Sequence, residues 1–309
     1  MASTTTHAPP PPTKSSPFRD ALAGSLAGAT SKTLTAPLER VKLLLQLQNS
    51  SKSVPEYRSA FDAFWRVYHE QGLLSFWRGN LPNVMRHVGA AGLTFSVKDR
   101  FKQVFAPPRE ARRRERLAAA FLSGGAAGAA TTSVFYPLEF LRTRLALDVG
   151  GKNTIERLYP RGMRDVLERT LAREGVTGLY KGFGVALGGV VLFRALHLGG
   201  YDYAKDEMGK RGEQTIWKRF FIAQLVSVAS GTVCYPIDTV RRRLMMTAGK
   251  KKDKVLYANA RECVAYIYST EGVSGFFRGL APNVVRSGLG GAFLLVSYDE
   301  FKAFFAKPT

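Results

Sequence analysis

The chain has little from which to build a redox or metal site. Two cysteines, Cys234 and Cys263, and four histidines are spread over 309 residues, and their spacing supports neither a disulfide framework nor a zinc cluster. Acids are also scarce, 24 against 45 lysines and arginines, for a net charge of +21. A basic excess of that size suits an anionic partner: nucleic acid, anionic lipid or an anionic solute. No nucleophile–base set stands out, so the expectation is a protein that is not an enzyme and that uses no metal or cofactor. The first 17 residues are rich in Thr, Pro and Ser. They hold neither the arginines of a transit peptide nor the apolar core of a secretory signal, and a disordered tail is expected there.

What the chain has in abundance is repetition. Pro37-Leu38-Glu39-Arg40-Val41-Lys42, Pro137-Leu138-Glu139-Phe140-Leu141-Arg142 and Pro236-Ile237-Asp238-Thr239-Val240-Arg241 share one pattern: proline, any residue, acid, two residues, base. The prolines lie 100 and then 99 residues apart. A second element recurs further on: Gln71-Gly72 leads to Trp77-Arg78-Gly79, Glu174-Gly175 to Tyr180-Lys181-Gly182, and Glu271-Gly272 to Phe277-Arg278-Gly279. A third closes each copy: Asp99 with Lys102, Asp202 with Lys205, and Asp299 with Lys302. Length alone suggests two domains. The repeats replace that with one body of three units, 18–110, 111–210 and 211–309.

Mean hydropathy is only −0.10, which by itself argues against a lipid-embedded chain. Yet Leu117 to Leu138 and Phe220 to Ile237 are free of charge and about long enough to cross a hydrocarbon core of roughly 30 Å. Lys32 interrupts the corresponding run from Ala21 to Leu38, and segments 80–106, 183–208 and 280–306 carry Arg86, Arg194 and Arg286 near their middles. Arginine at such depth is costly unless it faces a wet cavity or a partner. Six spans around a polar interior reconcile these observations. Gly24 with Gly28, Gly124 with Gly128 and Ser227 with Gly231 fit close helix packing, although the pattern is weak alone. The fold class predicted is an all-α membrane protein: six transmembrane helices in a three-fold pseudosymmetric barrel, with three short surface helices.

Each unit reads as a long kinked helix, a short amphipathic helix and a second long helix. The helices fall near 18–48, 58–69 and 80–106; 116–147, 162–173 and 183–208; and 217–247, 258–270 and 280–306. Ala60, Phe61, Phe64, Trp65 and Tyr68 recur at helical spacing, as suits a helix on a membrane surface. The competing architecture is a soluble helical repeat with a basic face for nucleic acid, which has no need of such charge-free runs.

The proline–acid–base and acid–Gly…aromatic–base–Gly elements, over residues 18–306, resemble the mitochondrial carrier family. Within it, Arg241-Arg242-Arg243-Leu244-Met245-Met246 resembles the signature run of the ADP/ATP carriers, with one leucine in place of a methionine. The resemblance implies a monomeric, multi-pass protein of the mitochondrial inner membrane that exchanges ADP for ATP, and no nucleic-acid partner. It also implies cardiolipin phosphates at Gly72, Gly79, Gly175, Gly182, Gly272 and Gly279, where helix starts leave N–H groups for anions. The exchange would be electrogenic. Carriers of AMP, ATP-Mg or coenzyme A share the fold and remain open, as does a proton leak pathway.

Threefold copies of an acid and a base at one depth suggest a closed ring, against the plainer reading of local i,i+3 pairs on solvated faces. The resemblance implies matrix-gate pairs Glu39–Arg142, Glu139–Arg241 and Asp238–Lys42, braced by Gln46, and cytoplasmic-gate pairs Asp99–Lys205, Asp202–Lys302 and Asp299–Lys102. Gates of similar strength let substrate binding tip the balance between them. Arg242 and Arg243 fit either a nucleotide or a lipid phosphate.

The substrate site is expected where the copies differ. Arg86 and Arg286 each follow the unit's glycine by seven and precede its acid by thirteen, and both rulers land on Gly189 in the middle unit. Arginines supply forked donors for phosphate, and the glycine leaves room for a flat base. Lys32 is a charge found in the first unit only. The resemblance assigns Lys32, Arg86 and Arg286 to phosphates and Gly189 with Val190 to adenine. Arg194 either aids the phosphates or pairs with acids, and Phe193 either stacks on adenine or simply packs. Phe193 and His197 stand where those carriers have tyrosine, and Cys234 where they have serine.

Overall fold

The structure is a computed structural model that describes residues 17–50, 55–107, 110, 112–150, 157–210, 216–250 and 255–306. The expected tail and the loop Lys251-Lys252-Asp253 lie outside these residues. The first unit comprises α1 (Pro17–Leu34), α2 (Ala36–Leu47), α3 (Ala60–Gln71) and α4 (Asn80–Val104). The second comprises α5 (Arg113–Ala146), α6 (Met163–Gly178) and α7 (Phe183–Lys210). The third has α8 (Ile216–Val233), α9 (Tyr235–Met245), α10 (Ala260–Glu271), a single turn α11 (Ser274–Phe277) and α12 (Leu280–Ala306). Among the described residues there is no strand.

The repeated proline acts differently in each unit. In the first it sits in the opening turn of α2, where a missing N–H costs no helical hydrogen bond. The chain breaks at Thr35, whose hydroxyl donates to the Ser31 carbonyl at 2.8 Å. In the third the break falls at Cys234, and α8 and α9 meet at 55°. In the second, Pro137 lies inside α5, which continues through it. Two of the three expected kinks are therefore breaks, and one is a proline carried within a single helix.

The short helices have local causes. Ser59 and Asn259 cap α3 and α10, accepting from the N–H of Asp62 and Glu262, and Gly72 and Gly272 end them at positive φ. The middle one runs past its predicted end at 173 because a second turn joins it across Gly175, itself at φ 63°.

Contacts between long helices follow chain order and close on themselves. α4 packs on α1 and α5, α7 on α5 and α8, and α12 on α8 and back on α1 and α2. Among the described residues three stretches are long and apolar enough to cross a membrane: Arg114–Ala146, Phe183–Lys205 and Ser274–Phe305. The bent pair α8–α9 makes a fourth if it is one span. Lys32 in α1, and Arg86, His87, Asp99 and Lys102 in α4, dilute the apolar character of the remaining two. Phe221, Leu225 and Val296 stand exposed on the outside, whereas the buried residues gather at the proline end. There Leu43, Leu44 and Leu47 pack with Ala146 and Leu147 of the second unit and Met246 of the third. Leu244 and Met245 are core residues as well.

One backbone device locks the units together. Gly79, Gly182 and Gly279 all take φ near 80°, a conformation costly for residues with a Cβ. A Cβ at each would sit 2.7 Å from a carbonyl oxygen of the following unit: Arg142, Arg241 and Lys42 respectively. Those three carbonyls belong to the bases of the proline motifs. Gly182→Ala is therefore expected to destabilise by about 1–2 kcal/mol from the left-handed backbone alone, and further from the collision. Thermal unfolding in detergent should show a lower Tm; an unchanged Tm would contradict the interlock.

Candidate functional site

At the proline end the three motif acids meet the three motif bases of neighbouring units. Lys42 Nζ lies 3.1 Å from Asp238 Oδ2, Arg241 Nη2 lies 2.8 Å from Glu139 Oε1, and Arg142 pairs with Glu39. Three helices, α2, α5 and α9, each contribute one acid and one base, so the pairs form a closed ring. Glu39, Lys42, Glu139 and Arg142 are all buried. Charges so far from water are retained only when matched. Within-helix i,i+3 contacts exist too, but they are longer: 3.7 Å for Arg142–Glu139 and 3.6 Å for Arg241–Asp238. Gln46 donates from Nε2 to Thr239 Oγ1 at 2.8 Å and reaches Asp238 Oδ2 at 3.4 Å, bracing the Lys42–Asp238 corner. Lys42 also stands 5.1 Å from the centre of the Tyr235 ring.

The two arginines that follow Arg241 have separate and internal duties. Arg242 joins the ring, donating to Asp238 Oδ2 at 2.9 Å, Thr143 Oγ1 at 3.1 Å and Glu139 Oε1 at 3.2 Å. Its i,i+4 spacing from Asp238 was the legible signal for this role. Arg243 is fully buried and forks onto both carboxylate oxygens of Glu271, Nη2 to Oε2 at 2.9 Å. Contact of Arg243 with a nucleotide or lipid phosphate is thereby corrected: the side chain is fully buried and its two terminal nitrogens are paired inside the protein, fastening α9 to the acid of the acid–Gly element. In the first unit Arg40, which sequence reasoning did not single out, does similar work. It donates to Gln71 Oε1 at 2.6 Å and to the carbonyls of Asp148 and Ala146 at 3.0 and 3.1 Å.

Above the ring lies a cavity of about 520 Å³. Its floor is Lys42, Asp238, Arg241 and Arg242; one wall is the α7 stripe Gly189, Val190, Phe193, Arg194 and His197. Phe193 and His197 stack with ring centres 5.6 Å apart. A Cβ on Gly189 would come within 3.1 Å of Ile237, so the space at that point is already tight. Arg194 is exposed, beside Gly128 of α5. Lys32 is half-buried, and Lys32, Arg86 and Arg286 are not themselves among the residues that line this cavity. Arg286 donates to Asn283 Oδ1 at 3.1 Å.

Arg86 behaves differently. Its Nε lies 3.1 Å from Glu139 Oε2, yet that nitrogen makes no aligned hydrogen bond. Glu139 thus holds Arg86 as a charge rather than through a directed N–H. The contact joins α4 to the ring.

The opposite end is different. Asp99, Lys102, Lys205, Asp299 and Lys302 are all exposed, and among the described residues neither Asp99–Lys205 nor Asp299–Lys102 forms an ion pair; Lys302 instead lies 5.9 Å from the Tyr298 ring centre. The side chain of Asp202 is outside the described residues. The ring at the proline end is closed, whereas among the described residues the two pairs that can be judged at the opposite end are not formed. For the six glycines read as lipid sites, geometry makes a further correction. The N–H groups of Gly72 and Gly272 are donated to the carbonyls of Tyr68 and Tyr268 at 3.0 and 3.2 Å, and so are not free for an anion.

Three like units, ion-paired at one end around a cation-lined cavity and apolar on the outside, make a carrier of solutes across a membrane. The chain belongs to the mitochondrial carrier proteins: that family's model matches it three times, over residues 13–108, 113–212 and 212–309. It is 46% identical over 292 residues to human ADP/ATP translocase 4, covering 93% of this chain and 91% of that protein. Human ADP/ATP translocase 3 is 45% identical, covering 92% and 96%; bovine ADP/ATP translocase 2 is 45% identical, covering 93% and 97%. Membership makes it a multi-pass protein of the mitochondrial inner membrane.

The Arg243–Glu271 fork yields a stability test. Removing one charge of a buried pair costs roughly 3–5 kcal/mol, whereas replacing both by apolar residues can be neutral. Glu271→Gln should lower the Tm more than the double change Arg243→Met/Glu271→Leu, as read by thermal unfolding. A harmless Glu271→Gln would show that the fork stabilises nothing.

Proposed function

We propose that this protein is an antiporter exchanging ADP for ATP by alternating access, in a barrel of six membrane spans. The single observation carrying the reading is a cavity whose floor belongs to a closed ion-pair ring, with Arg86 3.1 Å from Glu139 of that ring and Arg286 3.1 Å from Asn283 of the cavity lining. Three cations at mid-depth, Lys32, Arg86 and Arg286, match the polyanionic tail of a nucleotide. The small Gly189 and Val190, with the stacked Phe193–His197 pair, offer an apolar, flat surface for its base. The names of the relatives, ADP/ATP translocases, agree with this substrate class.

The Arg86–Glu139 contact supplies a route from binding to gating. A phosphate that captures Arg86 takes a cation from Glu139 and shifts the balance of the ring; a ligand moves such an equilibrium only through contacts that differ between its two states. Opening the ring of Glu39, Lys42, Gln46, Glu139, Arg142, Asp238 and Arg241 is matched by closure of Asp99, Lys102, Asp202, Lys205, Asp299 and Lys302 at the other end. The exchanged nucleotides differ in charge, so transport is electrogenic, driven by about 2.3 kcal/mol per charge per 100 mV. The chain works as a monomer. Cardiolipin phosphates sit at the helix starts beyond Gly79, Gly182 and Gly279, where the first-turn N–H groups point outward.

The test is counter-exchange in liposomes loaded with a panel of adenine compounds. ADP and ATP should exchange with one another. Preferential uptake of AMP, ATP-Mg or coenzyme A would reassign the substrate, and proton flux without nucleotide would reassign the activity. Arg86→Ala and Arg286→Ala should each remove a charged phosphate contact worth roughly 3 kcal/mol, which is about 100-fold in exchange, with the protein still folded. Normal rates in either variant would remove the phosphate assignment.

A further inference from the structure

Each motif proline removes a donor, and the carbonyl that loses it lies four residues upstream: Thr33 for Pro37, Ser133 for Pro137 and Thr232 for Pro236. A proline has no N–H to reach back to that oxygen, and in lipid there is no water to take its place. The three residues are alike in one further respect. Their own hydroxyls turn back along the helix, Thr33 to the Ala29 carbonyl, Ser133 to Ala129 and Thr232 to Val228, each at 2.9 Å. Those hydroxyls serve the turn before, so the carbonyls need a donor from elsewhere.

Two of them find it in the aromatic residue of the second repeated element. Trp77 Nε1 donates to the Thr33 carbonyl at 2.9 Å, and the Tyr180 hydroxyl donates to the Ser133 carbonyl at 3.1 Å. The matching residue of the third unit is Phe277, whose ring carries neither N–H nor O–H. Its placement follows that of Tyr180. Phe277 stacks on Tyr235 at 6.5 Å and 10°, as Tyr180 stacks on Tyr136 at 5.9 Å and 16°. Tyr235 and Tyr136 in turn donate to the carbonyls of Arg278 and Lys181 at 2.9 and 2.8 Å. The two units thus share a register and differ by one hydroxyl. The joint that lacks it is the one at which α8 and α9 meet at 55°.

We infer that the aromatic residue of the second element is a surrogate donor for the carbonyl each proline orphans, and that Phe277 leaves the third joint unfastened, making α8–α9 the hinge about which the closed ring is worked. Trp77 and Tyr180 are positioning residues, since neither lines the cavity. A fastened joint holds the acid and base after its proline at a set angle to the helix before it. In the third unit the residues left free to swing are Asp238, Arg241 and Arg242, which reach both neighbouring units through Lys42 and Glu139. Movement at this one joint therefore acts on two corners of the ring.

The hinge rests on the transport reading, whereas the donor role does not, and single hydroxyls separate the two. Tyr180→Phe removes a surrogate donor and Phe277→Tyr supplies the missing one. In detergent, thermal unfolding should give a Tm lower by about 2 °C in the first and higher by a similar amount in the second. An unchanged Tm in either variant would overturn the donor role, whether or not the protein exchanges nucleotide. In phosphatidylcholine–cardiolipin liposomes, Phe277→Tyr should exchange ADP several-fold more slowly at saturation, with the half-saturating concentration unchanged because the new hydroxyl lies outside the cavity. Phe277→Leu alters the ring without adding a donor and should not slow exchange. A full rate in Phe277→Tyr despite a raised Tm would overturn the hinge, as would equal slowing in Phe277→Leu. Absence of ADP exchange in the unaltered protein would bring down the transport reading and the hinge with it, while the Tm series still decides the donor role.

Discussion

The arrangement depends on charges that have left water and are matched only by one another. At the floor of the cavity three carboxylates, Glu39, Glu139 and Asp238, face five bases: Lys42, Arg86, Arg142, Arg241 and Arg242. The ring is thus both closed and overdrawn in positive charge. Closure comes from geometry, because each acid reaches the next unit's base. The surplus is what an incoming polyanion can answer, and buried charges respond strongly to any change in partners. In the proposed cycle the same residues that close one end make that closure sensitive to an anionic solute.

The backbone serves the same end. Gly79, Gly182 and Gly279 let each unit lie directly on the carbonyl of the next unit's ring base. A side chain at those glycines would push apart the helices that bring the ion pairs together. Behind the ring, Arg40 and Arg243 spend their guanidinium groups on Gln71 and Glu271, tying the proline-motif helices to the acid–Gly elements. In the first and third units the second element is in this sense the buttress of the first. At the opposite end Asp99, Lys102, Lys205, Asp299 and Lys302 are exposed.

Most of the fold was legible because threefold repetition multiplies a weak signal. One proline–acid–base motif says little; three at nearly equal spacing fix the number of units and the partners of each acid. The proline-end pairs and the Gln46 contact appear in the structure between the residues expected, whereas among the described residues Asp99–Lys205 and Asp299–Lys102 do not form. What periodicity could not convey was how each copy would deform. Pro137 stays within a continuous helix while Pro37 and Pro236 follow breaks, since a proline states only that an N–H is missing and not how neighbours will accommodate it. Arg242 and Arg243 could not be placed from sequence for a related reason. Adjacent residues on a helix point about 100° apart, so three arginines in a row face a ring, a ring and a core rather than one ligand. Leu244 to Met246, for all their value as a signature, are packing.

The central claim is that the closed ring parts when substrate is carried. Spin labels at Arg58→Cys, beside α3, and Arg261→Cys, on α10, bracket that end from opposite units, and their separation can be measured in liposomes by pulsed dipolar spectroscopy. Without nucleotide a single short distance is expected; with ADP on both sides of the membrane a second, longer population should appear. One unchanged distance in a protein that is exchanging nucleotide would contradict the account.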